Sequence, residues 1–294
     1  MEQALLDGMK QAGVQMERFH EPEWSQWNKL NNRTHRKLLV VDGRIGYTGG
    51  VGIADHWRGQ SRNPQEWHDS HFRVEGPVVA QMQSVFLDNW MRVTGDVLHG
   101  DAYFPALKPA SDLAAQMFSS SSSGGSESTQ LMYLLAITAA KRSIDLANSY
   151  FVPDNMTIQT LVDAARRGVK VCVIVPSGHI DSKVVRKALR GSWGPMLQAG
   201  IEIAEFQTTT DHVKGLVVDG VFSSVSSTNF DNRSLRLNDE ANLNVLDRDF
   251  GAIQRRVFDQ DWALARRITL AEWQARPWTE RLLERVAGML NSQL

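Results

Sequence analysis

One cysteine in 294 residues, Cys172, rules out a disulfide framework, and its place in an apolar run reads as a buried thiol. No stretch reaches the roughly 18 apolar residues of a membrane span, and the first residues carry no signal-peptide pattern. A charge surplus is missing too. The 32 Lys and Arg against 33 Asp and Glu leave a net charge of −1, without the basic bias of a dedicated nucleic-acid binder. No cluster of His, Cys, Asp and Glu has metal-ligand spacing, so neither a metal nor another cofactor is expected. With 42% hydrophobic residues, the chain has the composition of two globular domains or one pseudo-symmetric pair.

What is present is a repeat. His35-Arg36-Lys37 reaches Asp42 after four residues, and His212-Val213-Lys214 reaches Asp219 in the same way, giving two copies of H-x-K-x4-D. Lys and Asp each fill roughly 6% of ordinary sequence, so a given His opens this pattern by chance about once in 250 times. Both copies end in the same Val-Val-Asp-Gly (Val40 to Gly43, Val217 to Gly220), which chance does not supply. One copy alone would be an edge hairpin with solvated charges. Two in register mark one active site on a pseudo-two-fold axis.

The similarity extends beyond the motif. Gly8 to Phe19 aligns with Pro195 to Phe206, and Val85-Phe86-Leu87-Asp88-Asn89-Trp90 with Val257-Phe258-Asp259-Gln260-Asp261-Trp262. Each half therefore reads helix, short strand, motif hairpin, then a helix bearing Phe and Trp. The loop before the motif is longer in the first half, from Phe19 to His35 against Phe206 to His212. The motif itself is a β-hairpin closed by an Asp-Gly turn, and His and Lys two apart on a strand point to one face. Strand patterns at residues 143–147 and 169–175 alternate with helical patterns at 158–167 and 184–199. That order implies an α/β fold of two repeats, each a mixed, largely parallel sheet flanked by helices. Only seven residues precede Gly8, whereas the second half has two strands and a helix before its aligned block. The first repeat is thus expected to be incomplete, through N-terminal truncation or a reduced sheet.

The expected domains are residues 1–116, a first repeat; 117–126, a Ser/Gly-rich linker or a loop near the site; 127–268, a second repeat; and 269–294, a C-terminal amphipathic helix. In the last, Leu282, Leu283, Val286, Met289 and Leu290 recur at helical spacing, with Trp273 and Trp278 at its start. Such a helix either docks on the domain or lies at a bilayer interface.

Two facing histidines can divide one phosphoryl-transfer reaction. A neutral imidazole attacks phosphorus, while a protonated one gives its proton to the leaving alkoxide and later takes one from the incoming hydroxyl. The two rings need environments that separate their pKa values. Lys37 and Lys214 are suited to offset charge on the non-bridging oxygens.

With these residues in view, the chain resembles the phospholipase D superfamily, in which H-x-K-x4-D occurs twice, and within it the bacterial cardiolipin synthase branch. The finer match is carried by Thr34 to Gly43, Asp69 to Pro77, Ala147 to Asp154 and Ser227 to Leu243. The resemblance implies His35 as nucleophile and His212 as general acid/base, with Asp42 and Asp219 organising the hairpins. It implies Asp69 and Glu240 as acids that fix the tautomers of the active-site histidines, and Asn229, with Ser227 beside it, as a phosphate-side polar group. It also implies a phosphatidyltransferase acting on phosphatidylglycerol at the cytoplasmic membrane, held peripherally or through a segment outside this sequence. A lipid-hydrolysing phospholipase D, a nuclease and an inactive fragment are the alternatives. The match departs at Ser226, where the family places Gly, and at Gly52, which stands where the second half has Asn229.

Overall fold

The computed structural model describes residues 3–19, 33–121, 127–180 and 183–288. The first half contains α1 (Gln3–Gln11), β1 (Leu38–Val41), β2 (Ile45–Gly49), β3 (His71–Glu75) and α2 (Val78–Thr94). Strand β4 (Ala114–Ser120) then crosses to the second half, which continues with α3 (Ser128–Ala139), β5 (Ser143–Asn148), α4 (Asn155–Arg166), β6 (Lys170–Pro176), α5 (Lys183–Gly191), α6 (Trp193–Gln198) and β7 (Glu202–Phe206). It closes with β8 (Lys214–Val218), β9 (Phe222–Ser226), α7 (Asn232–Arg236), β10 (Glu240–Leu246), α8 (Arg248–Ala263), β11 (Ala265–Ile268), α9 (Leu270–Gln274) and α10 (Trp278–Gly288).

Two sheets result. Strands β1-β2-β3 form one, and β11-β7-β6-β5-β8-β9-β10-β4 the other. The fold is α/β with mixed pairing, as expected, but its balance is antiparallel. Only β5–β6 and β6–β7 run parallel, each pair joined by a helical crossover. The motif hairpins, β10, β4 and β11 all pair antiparallel.

The pseudo-symmetry is clearest in the hairpins. Asp42 and Asp219 have φ of 54° and 56°, followed by Gly43 and Gly220 at 63° and 65°. Both central turn residues are left-handed, which is why Asp-Gly closes each hairpin. The halves then diverge. The short strand expected at about residues 14–19 does not form, and α1 buries no residue. Its counterpart β7 lies between β6 and β11, and no first-half strand plays either part among the described residues. A strand without neighbours leaves its backbone groups to water, so coil is the outcome.

The small sheet is held by burial instead. Val78, Met82 and Val85 of α2 pack with Met117, Val225, Leu243 and Val245 of the large sheet, with Leu38, Val40, Phe72 and Val74 against them. Residues 117–120, read as the start of a linker, complete β4 and pair with Glu240 to Leu243. Residues 122–126 of the Ser/Gly tract, and most of the long loop before His35, lie outside the described residues.

The C-terminal segment is two helices. A capping box joins Thr269 to Glu272 at the start of α9. Trp273 donates to the Arg190 carbonyl (2.8 Å), Arg276 stacks on its ring, and Arg276 pairs with Glu284 at 3.1 Å. The segment docks by this charged, buried face, whereas Trp278, Leu282 and Leu283 are 68%, 52% and 47% exposed. The side chains of Val286, Met289 and Leu290 lie outside the described residues.

The two motif acids differ in what they hold. The Asp219 carboxylate accepts from the backbone N–H groups of Arg142 (2.7 Å), Ser143 (2.9 Å) and Lys141 (3.0 Å), tying the hairpin to the start of β5. Burial opposes its ionisation, but these donors together hold its carboxyl below the usual range. No such donors reach Asp42 among the described residues. Asp219→Ala is therefore expected to destabilise the chain more than Asp42→Ala, by about 1–2 kcal/mol in urea unfolding. Alanine is strained equally at the two matching φ values, so the difference isolates the lost cap; equal effects would refute it.

Candidate active site

Both motif histidines lie where the halves meet, and each half orients the other's ring. A parallel bridge joins Thr34 to Asp239, with His35 N–H donating to the Asp239 carbonyl at 2.8 Å. Its pseudo-symmetric counterpart joins His68 to Asp211, with His212 N–H donating to the His68 carbonyl at 2.7 Å. The next residue along each bridging strand is the acid. His35 Nδ1 lies 3.1 Å from both oxygens of Glu240, and His212 Nδ1 lies 2.7 Å from Asp69 Oδ2. The pairing is crossed, with each ring held by the other half's carboxylate.

A carboxylate can only accept, so each Nδ1 carries the proton and each Nε2 keeps its lone pair. Lys214 Nζ lies 3.0 Å from His212 Nδ1, a position that the Asp69 bond has already filled. That approach is therefore a charge beside a ring, not a second hydrogen bond. The Lys214 ammonium donates instead to the His212 carbonyl (2.6 Å) and to Ser149 Oγ (2.9 Å), and Ser149 donates to Asn229 Oδ1 at 3.1 Å. Asn229 thus uses its carbonyl inward and keeps its amide hydrogens for another acceptor. Lys37 donates to the His35 carbonyl at 3.2 Å. Ser227 Oγ donates to Glu240 Oε2 at 2.5 Å and fixes that acid.

The electrostatics join these groups into one site. Burial lowers the Lys37 ammonium, with Glu240 and then Asp69 opposing. Burial also drives Lys214 down to about 8, against the pull of Asp69 and with a further push from Lys37. For His212, burial and then the neighbouring Lys214 charge bring the imidazole to about 4, although Asp69 favours its protonation. Its side chain is 10% exposed, that of His35 29%. The site therefore holds two lysines poised for an anion, and a His212 ring that is neutral at pH 7.

Of the ten residues read from the sequence, eight converge: His35, Lys37, Asp69, His212, Lys214, Ser227, Asn229 and Glu240. Asp42 and Asp219 sit at the hairpin tips instead. Ser226 does not crowd the site. It has no positive φ, its hydroxyl meets Tyr133 Oη at 3.1 Å, and it accepts from Thr228 N–H at 3.2 Å. Sequence reasoning missed Ser149, which lies in a quoted motif block without a role. It also missed Trp57 and Trp67, whose rings lie 5.6 and 5.1 Å from His212. A glycine at position 52, where the other half has Asn229, was the one sign that something else fills that space.

Residues 133–262 match a family model described as "Cardiolipin synthase, PLD-like domain". The cardiolipin synthase of Geobacillus kaustophilus is 33% identical over 99% of this chain and 58% of its own length. Cardiolipin synthase 1 of Bacillus anthracis is 31% identical over 98% of this chain and, again, 58% of the relative. The chain thus spans less than two thirds of these relatives. Among solved structures, the phosphatidylserine synthase of Haemophilus influenzae superposes with a TM-score of 0.67 at 12% identity, covering 90% of this chain and 71% of that one, a likeness of fold.

Proposed function

Because this chain belongs to the phospholipase D superfamily, on its cardiolipin synthase branch, we propose that it carries the two-histidine site of a phosphatidyltransferase. The supporting observation is the crossed pairing, which protonates both Nδ1 atoms and leaves two Nε2 atoms for chemistry beside two lysines. In this reading His35 Nε2 attacks the phosphorus of phosphatidylglycerol. The P–O bond to glycerol breaks, and the departing oxygen takes the proton held by His212. The hydroxyl of a second phosphatidylglycerol then attacks the phosphohistidine and gives its proton to His212. The P–N bond breaks, and cardiolipin is formed. Lys37, Lys214 and the Asn229 amide face the non-bridging oxygens and offset the charge that grows there.

One observation favours an exchange of roles between the rings. A histidine lowered to about 4 is the site's ready nucleophile rather than its acid. In the reading preferred here, the bound phosphodiester anion offsets Lys37 and Lys214 and thereby admits the proton to His212. Binding and protonation are then one event.

No helix among the described residues is long and apolar enough to cross a membrane. Trp278, Leu282 and Leu283, exposed beside Arg281, support a peripheral approach to the cytoplasmic membrane surface. The chain's charge balance disfavours nucleic acid. Phosphatidylglycerol vesicles incubated with the protein are expected to yield cardiolipin and free glycerol, read by mass spectrometry. Phosphatidic acid instead would make it a lipid hydrolase. Vesicle binding without either product would make it a lipid-binding remnant.

A further inference from the structure

The two acids are fixed by different means, and the difference follows from two glycines. On the His35 side, Ser227 supplies the hydroxyl that holds Glu240. The equivalent position in the first half is Gly50, where an added Cβ would collide with Asp69 Oδ1. Asp69 is one methylene shorter than Glu240, and it lies against bare backbone where Glu240 meets a serine. It is still held on both oxygens. Ser70 N–H donates to Oδ1 at 2.8 Å, and Trp57 Nε1–H donates to Oδ2 at 3.2 Å. Oδ2 is also the oxygen that accepts from His212.

Trp57 reaches that oxygen because position 52 is glycine as well. A Cβ at Gly52 would lie 2.9 Å from the indole ring. The ring also meets His212 edge-on, with an interplanar angle of 76°. His56 and Trp67 back it at 4.0 and 5.0 Å, and the Trp67 N–H to His56 carbonyl bond (2.7 Å) closes that turn. Gly50 and Gly52, the counterparts of Ser227 and Asn229, thus make room for an acid and an indole.

We propose that Trp57 is the positioning residue of the His212 side, its indole N–H doing for Asp69 what the Ser227 hydroxyl does for Glu240. The ring edge in addition bars His212 from turning about χ2. Its importance for turnover rests on the reading of His212 as a reacting imidazole, but the geometry can be tested without turnover. The indole N–H draws charge from the oxygen that faces His212, so its loss leaves that oxygen more negative and favours the imidazolium.

The test follows the histidine rings by nitrogen-15 NMR. In Trp57→Phe, the His212 titration is expected to move up by about half a pH unit or more, with the His35 titration unmoved. At a fixed neutral pH, the His212 Nδ1–H should lose protection against exchange. Gly52→Ala, which displaces the indole without deleting it, should act in the same direction. Ser227→Ala should give the mirror result, moving His35 and sparing His212. Unchanged His212 titration and exchange in both first-half variants would overturn the proposal. With vesicles, Trp57→Phe should lower kcat about tenfold at unchanged KM. A protein without transferase activity but with the shifted His212 would remove the functional reading and leave this proposal standing.

Discussion

Alanine at either His35 or His212 is expected to lower cardiolipin formation by at least ~10⁴-fold, and alanine at both to be no worse than at one. In the proposed reaction the two rings act on the same phosphorus in sequence, so removing one disables the step that the other serves. The acid that each substitution frees stays on the Nδ1 side of the lost ring, Glu240 held by Ser227 and Asp69 by Ser70 and Trp57, and Lys214 is bonded to Ser149 and to backbone. The roles separate with a phosphodiester whose leaving group is nitrophenolate, which departs without a proton. The variant lacking the general acid should regain release of nitrophenol in the first step, whereas the one lacking the nucleophile should not. On the preferred assignment, His212→Ala recovers and His35→Ala stays inactive; the opposite pattern would exchange the two roles. Retention of more than about a hundredth of turnover by either variant would remove both rings from the reaction.

The crossed pairing has a structural consequence. Each ring is anchored by its own hairpin but aimed by the other half, so neither half alone contains an oriented histidine. The bonds that join the halves at Thr34–Asp239 and His68–Asp211 are the bonds that place the rings. Disturbing that contact and disturbing the site are then one operation, unlike an enzyme whose domains meet away from the chemistry.

The motif, its hairpins and the four residues His35, Lys37, His212 and Lys214 are legible because local rules decide them, whereas Asp69, Ser227, Asn229 and Glu240 come only from the family resemblance. Asp-Gly requires a left-handed turn, and His and Lys two apart share a strand face. What was not legible depended on neighbours that are distant in sequence. The strand expected at residues 14–19 has the pattern of β7 but no strand beside it, and pattern alone does not pair backbone groups. The alternating helices imply a largely parallel sheet, yet five of its eight strands, β4, β8, β9, β10 and β11, pair only antiparallel. Ser119 and Ser120 read as linker by composition and became a strand because β10 offers an edge. Trp57 was invisible for the same reason. Its role is set by Asp69, Gly52 and a histidine 155 residues away, none of which gives the tryptophan a local signature.

Protonation of His212 should accompany binding of the phosphodiester, and this is measurable apart from turnover. Burial and then the Lys214 charge bring the ring down to about 4. A bound phosphodiester anion removes part of that cationic push, so the affinity of His212 for its proton rises. At pH 6 the free ring is almost wholly neutral, whereas Lys214, at about 8, is already protonated and has no proton left to gain. Glycerophosphoglycerol, the soluble head of phosphatidylglycerol, has no group of its own that titrates there. Calorimetry at pH 6 in buffers of different ionisation enthalpy is therefore expected to show uptake of close to one proton per site. By linkage, binding should tighten as pH falls from 7 towards 4, and uptake should fade once the free ring is itself protonated. His212→Gln should bind the same head group without that proton. If the wild-type chain binds it with no proton exchanged at pH 6, His212 remains a neutral base in the complex. The ring lowered by Lys214 would then be the nucleophile, and His35 the acid.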